Sequence, residues 1–174
     1  QHYLEIKQQH QDAIIFYRLG DFYEMFFEDA KTASQELDLV LTGRNAGVEE
    51  KVPMCGIPFH ASKGYIQRLI QKGYKVAIVE QLENPAEAKG LVKRDVIKIV
   101  TPGTIMDEVN DEKNTAYIAS MHDYQFGLAV VLCEMTTGEM RAQLIDKQVM
   151  AIQKIVLGNN VVEVVLPENF DKKI

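Results

Sequence analysis

The stretch that decides how the chain folds is Leu19-Gly20-Asp21-Phe22-Tyr23-Glu24-Met25-Phe26-Phe27-Glu28-Asp29-Ala30. It follows a short apolar run over residues 13–17, which is typical of a buried strand. Gly20 interrupts this run, and Asp21 then occupies a position suited to a helix N-cap. Glu24 follows three residues later, as in a capping box. The pattern therefore predicts a strand that ends before Gly20 and a helix that begins directly after Asp21.

Apolar residues recur at helical spacing over residues 26–37 and form one stripe. We therefore predict a first strand over 13–19 and a first long helix over 22–38. This assignment puts Phe22 and Glu24 in the first helical turn, at the end of a rigid strand. A large aromatic side chain and an acid beside unpaired backbone N–H groups indicate a binding site.

The rest of the chain alternates apolar runs with helical patterns, which is typical of a mixed α/β protein. The predicted helices cover 3–11, 61–72 and 147–157, with a short one after Asn84-Pro85. The predicted strands cover 38–42, 74–80, 92–100, 115–120, 125–134, 139–145 and 161–166. The nearly all-apolar composition of 161–166 indicates an interior strand of parallel type. Turn residues occur at 43–47, at Gly73 and at Thr137-Gly138.

Residues 102–113 are polar and acidic and carry no core pattern. We therefore predict a domain over 1–101, a linker over 102–113 and a second domain over 114–174. The net charge is −6, and residues 1–101 hold 13 Lys and Arg against 14 Asp and Glu. A free-standing DNA-binding domain should be visibly basic, so composition alone gives no support for nucleic-acid binding.

No apolar run approaches the roughly 20 residues of a membrane span, and the first residues lack the features of a signal peptide. The two cysteines have no C-x-x-C spacing, which favours free thiols in a reducing cytoplasm. The four histidines are scattered and form no ligand pattern with the cysteines, so we expect no metal site.

Four stretches resemble, in order and spacing, the N-terminal mismatch-recognition domain of the MutS family of DNA mismatch repair proteins. They are 16–26, 52–60, 74–81 and 100–104. The resemblance covers nearly the whole chain and implies an N-terminal fragment of a longer protein of the bacterial cytosol or nucleoid. It implies an α/β fold: a mixed sheet with surrounding helices, followed by the first part of a ribonuclease-H-like connector domain.

The family's Phe-x-Glu motif maps onto Phe22 and Glu24, which the resemblance therefore implies as the mismatch-binding residues. In that role Phe22 enters the minor groove and stacks on a base. Unstacking a base step costs a few kcal/mol, and least at a mispaired base, while one aromatic–base stack returns about 1–3 kcal/mol. Glu24 is implied to hydrogen-bond a base and to repel the phosphates of intact duplex. Without the resemblance, Phe22 as a core aromatic and Glu24 as a capping-box acid stay open.

Two further DNA contacts are implied less directly. Arg44 matches a family position near the DNA backbone, and a solvated loop arginine is the alternative. Met54 lies in 54–58, which resembles the family loop beside the groove, and a turn-and-core role is the alternative. Lys89, Lys93, Arg94 and Lys98 are either a phosphate-binding strip or a solvated face.

The resemblance implies that this chain binds mismatched or bulged double-stranded DNA and is not itself an enzyme. The family binds ATP and Mg²⁺ in a C-terminal domain that is absent here, and no G-x-x-x-x-G-K-[ST] motif occurs. The full-length protein is implied to be a homodimer that binds other mismatch-repair proteins. One alternative function is a partner-docking or signal-transmitting module over 114–174. Another is a Mg²⁺-dependent nuclease, for which Glu134 stands where the family often has Asp.

Overall fold

A computed structural model describes residues 2–44, 51–83, 92–104 and 115–170. The contacts divide the chain into two compact units, Gln1–Thr101 and Pro102–Ile174. The first unit contains a six-stranded sheet in the order β3-β4-β2-β1-β5-β6. Its strands are β1 (Ala13–Leu19), β2 (Phe22–Phe26), β3 (Thr42–Arg44), β4 (Val52–Pro58), β5 (Lys75–Gln81) and β6 (Arg94–Val100). Only the β1–β5 pair is parallel, so the prediction of a mixed α/β fold is confirmed.

Helices cover both faces of this sheet to different extents. They are α1 (His2–Gln9), α2 (Phe27–Leu37) and α3 (Ser62–Gln71), with a 3₁₀ turn at Phe59–Ala61. On one face, α2 packs against β4 and β2, and α3 packs against β5 and α2. On the other face, Tyr3 and Ile6 of α1 pack on Ile15 and Ala77. Because α1 is only eight residues long, the β2–β4 part of this face is left uncovered by the described residues.

Residues Phe22–Phe26 form a strand, so the predicted helix over 22–38 and its capping box are wrong in their first turn. The register pairs Leu19 with Phe22 and leaves Gly20-Asp21 as a two-residue hairpin loop. Gly20 has φ +58° and Asp21 does not have a positive φ, as expected for a type II′ turn. The helix begins only at Phe27.

A buried carboxylate ties α1 to this hairpin and to α2. Asp29 accepts hydrogen bonds from the Tyr3 hydroxyl at 2.6 Å and from the Ile15 backbone N–H at 3.0 Å. The Lys7 ammonium lies 2.8 Å from its other oxygen and also donates to the Ala13 carbonyl. Burial, and then the charge of Asp29, raise the pKa of Tyr3, so its hydroxyl stays protonated and donates. The network holds three elements together without exposing the charge.

Three other predictions for the first unit need correction. Asp38 takes a left-handed conformation (φ 57°) at the end of α2, and the following strand begins at Thr42 rather than at 38. Residues 43 and 44 of the predicted turn lie in β3, while 45–47 lie outside the described residues. Residues 54–58, predicted as a loop, lie in β4. The short helix after Asn84-Pro85 falls outside the described residues.

The second unit is a four-stranded sheet in the order β10-β7-β8-β9, covered by one helix. Its elements are β7 (Tyr117–Tyr124), β8 (Gly127–Cys133), β9 (Met140–Ile145), α4 (Val149–Gly158) and β10 (Val161–Val165). All five match predicted elements in type and order. β10 pairs with β7 in parallel, as predicted, but it lies at one end of the described sheet and is largely exposed rather than interior.

Candidate nucleic-acid interface

Side chains of β2 alternate between the covered and the uncovered face of the first sheet. Tyr23 and Met25 are buried on the face that α2 and α3 cover, whereas Phe22, Glu24 and Phe26 point the other way. Phe26 packs against α1, but Phe22 lies beyond its reach and is 48% exposed. Phe22 is therefore not a core aromatic, and strand geometry excludes the capping-box role for Glu24.

The hairpin tip that carries Phe22 is held from two sides. The Phe59 N–H donates to the Asp21 carbonyl at 3.0 Å, which attaches the turn to the end of β4. The Arg18 guanidinium lies 3.5 Å from the centre of the Phe59 ring and donates from Nε to the Gly20 carbonyl. These contacts fix the backbone next to Phe22, so its exposed ring is presented from a rigid support.

Phe22 and Glu24 share a groove of about 330 Å³. The other side chains and backbone that line it are Val40, Thr42, Met54, Cys55 and Gly56. Gly56 lies opposite Glu24 in the β2–β4 register, where an added Cβ would stand 3.5 Å from Glu24 Cγ. The structure thus brings together three of the predicted residues, Phe22, Glu24 and Met54.

Arg44 joins this group through an ion pair. Its Nη1 lies 2.7 Å from Glu24 Oε2, and it reaches across β4 from the outer strand β3. The Glu24 side chain is 18% exposed and the Arg44 side chain 52% exposed. All four predicted site residues therefore lie on one patch of the uncovered face.

Basic groups continue from Arg44 along a larger groove of about 750 Å³ beside α1. Lys93 and Arg94 line this groove together with Tyr17. The Arg94 guanidinium donates to the Arg18 carbonyl at 2.8 Å and lies 5.6 Å from the centre of the Tyr17 ring, so its position is fixed. Lys89 lies outside the described residues. The groove places positive charge next to the Phe22–Glu24 patch.

Burial shifts the pKa of two side chains that lie beneath the patch, Tyr23 and Cys55. Burial, and then a hydrogen bond to Glu80, raise the pKa of Tyr23 to about 12. Burial also raises the pKa of the Cys55 thiol to about 11, which removes its nucleophilic form near neutral pH. Among the described residues, no three His, Cys, Asp or Glu side chains are grouped to hold a metal ion. Nor does any described helix have the length and apolar character needed to cross a bilayer.

The sequence contains two signals that would have predicted the strand. Gly20-Asp21 is a two-residue hairpin loop of the Gly-Asp type, and Phe22 to Phe26 alternates as a half-buried strand does. Sequence reasoning also missed Val40, Thr42 and Gly56 as groove residues. Val40 is largely exposed beside Phe22, which only the tertiary structure reveals.

The family model described as MutS domain I matches residues 1–109 of the chain. The chain belongs to the MutS family. The match includes every residue of the Phe22–Glu24 patch and of the basic groove beside it.

Curated MutS relatives agree over most of the chain. DNA mismatch repair protein MutS of Bacillus subtilis (strain 168) is 55% identical over 149 residues, 84% of this chain and 17% of the relative. The protein of the same name from Clostridium tetani is 49% identical over 178 residues, 100% of this chain and 20% of the relative. That of Acetivibrio thermocellus is 58% identical over 140 residues, 80% and 16% respectively. This MutS-family chain thus spans about a fifth of the length of its curated relatives.

Proposed function

We propose that this chain recognises mismatched or bulged DNA for mismatch repair, with Phe22 as the minor-groove wedge and Glu24 as the base-contacting acid. One observation carries the proposal: Phe22 is an exposed ring on a rigid hairpin, in one groove with Glu24. The relatives from Bacillus subtilis, Clostridium tetani and Acetivibrio thermocellus are DNA mismatch repair proteins by name, which supports the same role.

The ring is suited to measure pairing strength. Because the Gly20-Asp21 turn is fixed by Arg18 and Phe59, inserting the ring orders little additional backbone. Insertion buries the exposed half of the ring against a base and returns about 1–3 kcal/mol. The cost of unstacking is lowest where a base is already mispaired, so the balance favours mismatched DNA.

Whereas Phe22 favours binding at a mismatch, Glu24 disfavours binding to intact duplex. A carboxylate beside the wedge repels phosphates and so weakens binding to intact duplex. An ionised carboxylate only accepts hydrogen bonds, so Glu24 must carry a proton when its partner on the base is also an acceptor. Discrimination would then come from a penalty on matched DNA as well as a gain on mismatched DNA.

The backbone contacts proposed for this chain are few. Arg44 and Met54 flank the groove of Phe22, and Lys93 and Arg94 continue the basic side. With residues 1–101 near charge balance, we assign most of the DNA affinity to other parts of the protein. The homodimer, the contacts with other repair proteins and the ATP- and Mg²⁺-binding domain are likewise proposed for the longer protein. This chain is proposed to be non-catalytic and to need no cofactor.

The test is a titration of the intact protein with mismatched and matched duplexes. We expect Phe22→Ala to lower affinity for mismatched DNA about 5- to 150-fold, the equivalent of one lost stack, with little change on matched DNA. Phe126→Ala is the matched control, because its ring is also exposed but lies on the β7–β8 turn. Equal losses on both duplexes for Phe22→Ala would contradict the proposal.

The partner-docking alternative for residues 114–174 has one observation in its favour. The sheet face opposite α4 exposes Val131, Met140 and Leu144 without an intervening charged side chain on β8 or β9. Such a face suits a protein partner with an apolar surface. Leu144→Lys in the intact protein would then impair repair in cells while leaving mismatch binding unchanged. Loss of both, or of neither, would count against docking.

The ribonuclease-H-like fold of the second unit remains a proposal, and the nuclease alternative gains no support. Glu134 accepts hydrogen bonds from the backbone N–H groups of Thr136 and Thr137, and from the Thr137 hydroxyl. Its carboxylate therefore closes a turn and does not face an acidic cluster in the described part of the chain. A cleavage assay with Mg²⁺ tests this directly, and cleavage lost in Glu134→Gln would restore the alternative.

A further inference from the structure

The ion pair between Arg44 and Glu24 joins the two kinds of DNA contact that the patch offers. Glu24 is the residue proposed to contact a base, and Arg44 is the residue beside it that could contact a phosphate. In the structure the two side chains form an ion pair instead, with 2.7 Å between Arg44 Nη1 and Glu24 Oε2. Arg44 comes from β3, two strands away, and its side chain must stretch across β4 to make this contact.

We propose that Arg44 and Glu24 form a gate that opens only on mismatched DNA. In the closed state Arg44 stays paired with Glu24 and makes no contact with a phosphate. When Phe22 enters a mismatch, Glu24 turns to the base and releases Arg44 to a phosphate. The inference rests on the proposed function of Phe22 and Glu24. It adds that recognition of a base by Glu24 is coupled to a contact between Arg44 and a DNA phosphate.

The contacts around the pair suit a gate better than a fixed brace. Half of the Arg44 side chain is exposed, so water competes for its charge, while the Glu24 side chain is 18% exposed. In the described part of the chain, Arg44 has no other hydrogen-bond partner, and Oε1 of Glu24 accepts no hydrogen bond. The Lys7–Asp29 pair differs, because that carboxylate is buried and accepts two further hydrogen bonds.

Gly56 leaves room for the movement of Glu24. It faces Glu24 directly across β2 and β4, and an added Cβ would contact Glu24 Cγ at 3.5 Å. The side chain can therefore swing over β4 without meeting another side chain at this position. Arg44 lies on β3, an edge strand of the described sheet, and half of its side chain is exposed.

The gate predicts a difference in salt dependence. Each phosphate contact contributes about 0.9 to the slope of log affinity against log salt concentration. In the intact wild-type protein, the slope on mismatched duplex should exceed the slope on matched duplex, and Arg44 should supply about 0.9 of the excess. Between 50 and 200 mM salt, this contribution lowers the mismatch preference about 3.5-fold.

Two variants and one control test this by fluorescence anisotropy. Arg44→Ala should reduce the slope by about 0.9 on mismatched duplex only. Glu24→Gln releases Arg44 permanently and should increase the slope on matched duplex by about the same amount. Lys31→Ala removes an exposed lysine paired with Glu28 on α2, outside the groove, and should change neither slope. Thermal unfolding of each variant confirms that it folds, and Arg44→Lys, which keeps the charge, should retain the wild-type slopes.

The outcomes separate the gate from the proposed function. If Arg44→Ala lowers both slopes equally, Arg44 is a constant phosphate contact and the gate is refuted. If it lowers neither, Arg44 does not contact DNA and the gate is refuted as well. In both cases, a mismatch preference that Phe22→Ala abolishes would leave the proposed function standing. A wild-type protein without any mismatch preference would overturn both.

Discussion

Within the part of the chain that the structure describes, both units leave part of a sheet face uncovered, but the two faces differ in chemistry. On the first unit, the exposed ring of Phe22 stands beside a carboxylate, a guanidinium and a glycine that opens the groove. On the second unit, the exposed side chains of β8 and β9 on this face are apolar, with Met140 and Leu144 70% and 55% exposed, and Ser120 and His122 of β7 lie on the same face.

This difference separates a ligand site from a packing surface. The apolar area on β8 and β9 gains most from contact with another apolar protein surface. The first face offers an aromatic ring to stack on a base and two opposite charges that select what lies beside it. Exposure alone would not have distinguished the two faces.

The largest effect on stability should come from removing the contacts that hold α1 on the sheet of the first unit. Asp29→Ala removes the acceptor that holds Lys7, the Tyr3 hydroxyl and the Ile15 N–H. We expect a loss of about 3 kcal/mol in stability, because a buried charge partner is removed. Native-state hydrogen exchange of the β1 amides measures it. Glu28→Ala, which breaks an exposed pair on the same helix, should cost less than about 1 kcal/mol; equal costs would show that the network does not hold α1.

Two residues of β2 that point to opposite faces of the sheet should separate effects on stability from effects on DNA recognition. Met25 is fully buried, so Met25→Ala should cost about 2–3 kcal/mol through the cavity it leaves. Phe22→Ala should cost less than about 1 kcal/mol, because half of that ring is already in water. Urea unfolding compares them. A large loss for Phe22→Ala would make the exposed ring a packing residue and remove the contrast between the two faces.

The aliphatic face of the second unit should tolerate charge in this chain. Leu144→Lys should change stability by less than about 0.5 kcal/mol, since the residue is exposed and makes no core contact. It should also lower the binding of a hydrophobic dye such as ANS. Leu128→Lys, on the face that α4 covers, is the control and should prevent folding of the unit. Unchanged dye binding in Leu144→Lys would mean that this face is not the exposed apolar surface.

The smallest effect concerns Glu134, a carboxylate whose role is structural, in contrast to Glu24. Hydrogen bonds from Thr137 and Thr136 lower the pKa of Glu134 to about 2. Because this lies below the unfolded value of about 4.3, the stabilisation is complete above that value and is lost as the pH falls towards 2. Glu134→Gln should therefore flatten the acid side of the stability–pH curve. Titration of the Glu134 carboxyl by NMR at an ordinary pKa would refute this.

Much of the fold followed from local patterns, and the error at Phe22–Phe26 came from a competing signal. Apolar alternation and turn residues predicted β7, β8 and β9 of the second unit, because these strands pair with their neighbours in sequence. The stretch after Gly20 satisfied two rules at once: Asp21 and Glu24 fitted a capping box, while Gly20-Asp21 fitted a hairpin. The hairpin won because Tyr23 and Met25 bury on one side of a sheet that β1 and β4 complete from both flanks.

The candidate site was predicted by residue but not by arrangement. Phe22, Glu24, Arg44 and Met54 came from the family motif and matched positions, and all four lie on one patch. The ion pair between Glu24 and Arg44 could not be predicted, since twenty residues and one intervening strand separate its members. The groove residues Val40 and Gly56 were missed for the same reason.

The sequence by itself determined the mixed α/β class and the order of elements in the second unit. It also showed that Phe22 and Glu24 match the Phe-x-Glu motif of the family. These depend on local periodicity, turn chemistry and motif spacing, which a chain carries before it folds. Tertiary structure alone decided which face α1 leaves uncovered and that Phe22 stands in solvent. It also decided that Arg44 meets Glu24. Such facts depend on which strands become neighbours, and the free energy of that choice is spread over the whole sheet rather than over any one stretch of residues.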